Sequence, residues 1–84
     1  MSVYVTRERL PYGRMLMGHM IADTSAELHA MAAHVGVERR WCQGEGTPRE
    51  HYDMALSKRA LAVAAGAIEI TRRELALKVR ARAR

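Results

Sequence analysis

The spacing of apolar and polar positions changes several times along this chain, and each change predicts an element. Val3 to Thr6 alternates and carries β-branched residues, which predicts a short strand. Residues 7–14 hold Pro11 and Gly13 and read as a connection. Met15 to Ala22 is an almost unbroken apolar run, as in a strand covered on both faces. Thr24 with Glu27 three residues on forms a capping box, so a helix should begin at Ser25. Leu28, Met31, Ala32 and Val35 repeat at helical spacing and mark its buried stripe, and Gly36 ends it.

Val37 to Trp41, short and following a glycine, reads as a strand, and Cys42 to Glu50, with two Gly and a Pro, as a loop. Asp53 is placed to cap a second helix running to about Ala65 before Gly66. Ala67 to Thr71 alternates as a strand, and Thr71 with Glu74 opens a third helix from about residue 72 to the end. The expected order is β-β-α-β-α-β-α. That order implies a small α/β domain spanning 1–84, with three or four mostly parallel strands and about three helices.

Composition changes this picture in three ways. A chain of 84 residues without Phe and with one Trp builds its core from aliphatic side chains and Met. Such a core is thin, and a homodimer would supplement it. The Met15, Leu16, Met17 and Met20 cluster fits plain core packing or, alternatively, a dimer contact. The single cysteine, Cys42, excludes an internal disulfide and a cysteine-built zinc site, which suits a reducing cytoplasm. No apolar run is long enough for a membrane span, and Arg7, Glu8 and Arg9 break any signal-peptide core, so no membrane role is expected.

The net charge of +5 is local. Residues 1–70 carry eight Lys/Arg against eight Asp/Glu, whereas residues 71–84 carry six against one. Arg72, Arg73, Lys78, Arg80, Arg82 and Arg84 therefore form a basic tail, read as a solvated end or an electrostatic contact for nucleic acid.

Candidate chemistry concentrates between His51 and Arg59. Loops leading into helix N-termini at the carboxyl ends of strands are where ligands meet parallel sheets. Asp53 and Ser57, four apart, would share one helical side, with Lys58 and Arg59 beside them and free N–H groups favouring an anion. His51 is available for proton transfer, and Tyr52 or Trp41 for stacking on a base. Each has a plainer role: Asp53 as a cap, Ser57 as a small packing residue, Lys58 and Arg59 as solvated surface, Tyr52 as a core-edge aromatic. His29 and His34, five apart, lack the spacing of a helical metal pair and are expected to face solvent. His19, within the apolar strand, reads as a satisfied histidine. Cys42 lacks a thiolate-stabilising pattern. No metal and no cofactor are expected.

Taken together, several stretches look familiar. They are Val3-Tyr4-Val5, His19-Met20-Ile21-Ala22-Asp23-Thr24, Glu27-Leu28-His29-Ala30, Val37-Glu38-Arg39-Arg40 with Gln43, His51-Tyr52-Asp53, and Gly66-Ala67-Ile68-Glu69-Ile70 before Arg73-Glu74-Leu75. Over almost its full length the chain resembles a family of small bacterial and phage proteins catalogued only as a domain of unknown function. The resemblance implies no reaction, but it draws attention to His51-Tyr52-Asp53. It also implies an acidic residue directly after the first strand, where this chain has Thr6 and Arg7, a departure that bears on any catalytic set including that acid.

Three functions follow as expectations. The first is binding of a phosphate-bearing ligand, nucleotide or nucleic acid, at the start of the second helix through Tyr52, Ser57, Lys58, Arg59 and Trp41. The second is hydrolysis of a phosphoester or glycosidic bond with His51 and Asp53 as the acid/base pair. The third is a phage or bacterial protein-interaction factor working as a dimer.

Overall fold

A computed structural model of the protein describes residues 2–7, 10–12 and 15–82. Their order is β1 (Val3–Thr6), β2 (Leu10–Tyr12), β3 (Met15–Ala22), α1 (Ser25–Val35), a 3-10 turn (Arg39–Trp41), β4 (Tyr52–Ala55), α2 (Leu56–Ala64), β5 (Ile68–Ile70) and α3 (Arg72–Arg82). Among the described residues, no helix is long and apolar enough to cross a membrane.

The small α/β class and the three helices are as expected, but the sheet is mixed rather than mostly parallel. β3 lies at its centre. Met20 pairs with Val5 on one side and Tyr52 on the other, and Met17 with Leu10 and Ala55. β1 and β2 therefore share one edge of β3, and β4 takes the other. All of these pairings are antiparallel, and only β5, beside β1, runs parallel to its neighbour. The parallel expectation assumed a crossover after each strand. In fact the expected connection at 7–14 contains β2, so the chain turns back directly and pairs antiparallel.

Two further expectations are corrected. Val37 to Trp41 is not a strand. After Gly36 adopts a left-handed conformation (φ 82°), the Val37 N–H donates to the Ala32 carbonyl and residues 39–41 coil into the 3-10 turn. Asp53 is not a helix cap. It lies in β4, and α2 begins after Ala55 with no side-chain capping bond. Tyr52 and Met54 are buried while His51, Asp53 and Ala55 are half-buried, the alternation of a strand with unequal faces.

The capping boxes of α1 and α3 are realised. Thr24 Oγ1 accepts the Glu27 N–H, and Thr71 Oγ1 accepts the Glu74 N–H while Glu74 bonds back to the Thr71 N–H. Leu28, Ala32 and Val35 are buried and pack with Val3, Val5, Met20, Ala22, Tyr52, Met54, Ala62 and Ala67 to form the core. α1 and α2 thus cover one face of the sheet. The opposite face belongs to α3, which turns Arg72, Leu75, Ala76, Val79 and Arg80 toward it. No residue of α3 is fully buried, and a cleft of about 860 Å³ separates it from the sheet. Part of the basic tail is therefore engaged: Lys78 Nζ sits 4.0 Å from the Tyr4 ring centre. Arg84 lies outside the described residues. Of the methionine cluster, Met20 is core, Met17 half-buried and Leu16 exposed.

Arg59 ties the elements together. Its Nε donates to the Thr6 carbonyl at 2.7 Å and its guanidinium also reaches Glu69, joining α2 to β1 and β5. Arg59→Ala is expected to cost about 1–3 kcal/mol, the range for charge-assisted bonds, lowering Tm by about 5–15 °C. The guanidinium holds the Glu69 carboxyl below its ordinary range. That contribution is present above the ordinary glutamate value and is lost as pH falls through the lowered one. Melting curves of the two proteins should therefore draw closer in acid.

Candidate functional site

The half-exposed face of β3 and β4 carries the chemistry. In the antiparallel ladder His19 lies directly opposite Asp53. His51, two residues before Asp53, points to the same side. His19 Nε2 is 3.3 Å from Asp53 Oδ1, His51 Nε2 is 3.4 Å from it, and the rings of the two histidines stand 5.2 Å apart, edge to face. The three donor atoms all lie within 4.8 Å of one another.

The surroundings fix these groups. Arg49 O lies 2.6 Å from His51 Nδ1, so a proton there is donated to the carbonyl and the Nε2 lone pair turns inward. Gln43 Nε2 donates to Asp53 Oδ2 at 2.6 Å. Gln43 is itself held by paired backbone bonds with His51. Asp53 Oδ1, by contrast, is buried and accepts no hydrogen bond. A buried carboxylate oxygen in that state carries a desolvation cost unless a cation or a proton meets it.

The spacing suits a cation. A tetrahedral ion with bonds of about 2.0–2.1 Å holds its ligand atoms about 3.3–3.4 Å apart, and Asp53 Oδ1 lies 3.3 and 3.4 Å from the two imidazole nitrogens. Two imidazoles and one carboxylate also leave a fourth position open. His19 and His51 line the cleft under α3, together with Ile21, Pro48, Leu75 and Val79 as apolar wall and Arg49, Arg72 and Arg80 as charge.

The chain belongs to the family described as Protein of unknown function (DUF4031), whose model matches residues 3–82. No curated protein and no solved structure matches the chain.

Within this family member the stretch from His51 to Arg59 divides. His51 and Asp53 come together with His19, as described. Tyr52 points the other way, into the core, where its hydroxyl meets His29 Nδ1 at 2.7 Å and burial raises its pKa. Ser57 is exposed on α2, and Lys58 Nζ lies beside Gly36 at the end of α1. Arg59 is the structural tie already given. Trp41 is 59% exposed, with the Arg40 guanidinium 5.0 Å from its ring. The anion site expected at the start of α2 is therefore not assembled from these side chains.

His29 does not face solvent as expected. Its side chain is 14% exposed, and Nε2 lies 3.1 Å from Glu45 Oε1 without the alignment of a hydrogen bond. His34 is exposed, as its spacing implied. Of Thr6 and Arg7, where the resemblance implies an acid, Thr6 is fully buried and accepts the His19 N–H through its hydroxyl at 2.9 Å. That position adjoins the cluster.

Sequence reasoning missed His19, Gln43 and Arg49. The available signal was the period of two in His51-Tyr52-Asp53-Met54-Ala55, which marks a strand and sends His51 and Asp53 to one face. The bond to Arg49 sets a testable tautomer. In long-range proton–nitrogen spectra the neutral imidazole of His51 should carry its proton on Nδ1, and an Nε2–H signal would contradict the arrangement.

Proposed function

We infer that this protein hydrolyses or holds a phosphate-bearing ligand at a divalent metal ion bound by His19, His51 and Asp53. The observation that carries the reading is the buried, hydrogen-bond-free Asp53 Oδ1 set between two imidazole Nε2 atoms at tetrahedral ligand spacing. This departs from the metal-free expectation, since the spacing of residues along the chain gives no such set.

Three protein ligands leave one position for water, which a zinc-class ion acidifies to a pKa of about 7. A metal held by His19, His51 and Asp53 would supply a hydroxide for attack on phosphorus, with the leaving oxygen protonated by solvent water. Arg49 and Arg80, which line the same cleft as His19 and His51, match the charge of the non-bridging oxygens. Ile21, Leu75, Ala76 and Val79 suit an apolar or planar portion of the ligand. His51 is a metal ligand in this reading rather than an acid/base. Glycosidic cleavage is the weaker alternative, because the cluster holds one carboxylate where that chemistry ordinarily uses two.

The test is turnover of nucleotides and of a chromogenic phosphodiester by chelator-stripped protein reloaded with Zn²⁺, Mn²⁺ or Mg²⁺. Activity should return with metal and vanish in His19→Ala and Asp53→Asn. Gln43→Ala, which loosens Asp53, should lose about 10–100-fold, and Lys58→Ala should be unaffected. Metal-dependent ligand binding without turnover would reduce the reading to a binding module. Equal behaviour of stripped and loaded protein would overturn it.

A further inference from the structure

The strand alternation that sends His51 and Asp53 to the cleft sends Glu50 and Tyr52 to the other face, toward α1. There a second constellation forms from three separate segments. His29 comes from the second turn of α1, Cys42 from the end of the 3-10 turn, and Glu50 from the residue before His51. One donor atom from each lies within 4.8 Å of the others. The Gln43–His51 backbone bridge clamps the intervening loop, which brings Cys42 and Glu50 together despite the seven residues of sequence between them.

The chemistry of the donors is that of a zinc ligand set. The Glu50 side chain is 8% exposed, and its Oε2 accepts from Ser25 Oγ at 3.0 Å and the Gly46 N–H at 3.2 Å. His29 Nε2 is buried, lies 3.7 Å from Glu50 Oε2 and has no hydrogen-bond partner. When Nδ1–H donates to the Tyr52 hydroxyl, Nε2 presents its lone pair to the cluster. Glu45 Oε1 stands 3.1 Å from the same nitrogen as a further donor, steadied by Arg39. Burial and the Glu50 and Glu45 charges raise the Cys42 pKa, so at neutral pH the metal-free site holds a thiol.

We propose that His29, Cys42 and Glu50 bind a second, zinc-class ion that pins the 42–50 loop to α1. Binding exchanges the thiol proton for the metal, releasing one proton from Cys42 to solvent, with no change of oxidation state. The ion is structural in role: it staples a loop in a small domain whose core is thin. That loop carries Arg49 and leads into His51, so the staple also supports the cleft.

Cobalt(II) separates the two sites, because only this one contains sulfur. Titrating the stripped wild-type protein with Co²⁺ should raise a thiolate-to-cobalt charge-transfer band in the near ultraviolet. Cys42→Ser should lose that band yet still take up Co²⁺ at His19, His51 and Asp53. The His19→Ala/Asp53→Asn double variant should keep it. His29→Gln, verified as folded by circular dichroism, should lose it, and Zn²⁺ should protect Cys42 from alkylation in the wild type and in the double variant but not in His29→Gln. Cobalt uptake with no thiolate band overturns this inference and leaves the hydrolytic reading standing. A band that survives His29→Gln also overturns it. A thiolate band in a protein whose activity ignores metal overturns only the hydrolytic reading.

Discussion

The antiparallel register of β3 against β4 sets Met20 opposite Tyr52, His19 opposite Asp53 and Gly18 opposite Met54. Everything proposed for this protein depends on that alignment. A slip of one residue would turn Tyr52 and Met54 out of the core and His51 and Asp53 into it. The core therefore enforces the register, because Met20, Tyr52 and Met54 are among its most deeply buried side chains. Hydrophobic packing on one face thus positions polar chemistry on the other, and the two cannot be varied independently.

The same alternation explains why the segment around His51-Tyr52-Asp53 serves two environments. His51 lines the cleft and Asp53 shares its side of the strand, and Gln43 and the Arg49 carbonyl orient them. Glu50 and Tyr52 face α1, where His29 meets both. A single short strand and its bridge thereby link two polar clusters through backbone, with no side chain shared.

α3 gives the cleft its character. Its stripe of Leu75, Ala76 and Val79 is apolar enough to rest over the sheet, yet no residue of the helix is fully buried. Arg72 and Arg80, about two turns apart, flank the stripe in the lining of the same cleft, so charge and apolar wall share one boundary of the cavity.

Local signals were legible wherever the physics is local. The capping boxes at Thr24 and Thr71 and the left-handed stop at Gly36 need only neighbouring residues, and each appears where the sequence indicates. The stripe of Leu28, Ala32 and Val35 is likewise a property of one helix. His51 and Asp53 were singled out by type, but their grouping as helix-start residues with Ser57, Lys58 and Arg59 did not hold, because Asp53 continues a strand. The sequence by itself determined the α/β class, the three helices and the short stretch in which to look. Strand order, the mixed sheet and the meeting of His19 with His51 and Asp53, or of Cys42 with His29 and Glu50, were decided only in the tertiary structure. Those pairings are fixed by which apolar face the whole core can bury, and no local spacing encodes that choice.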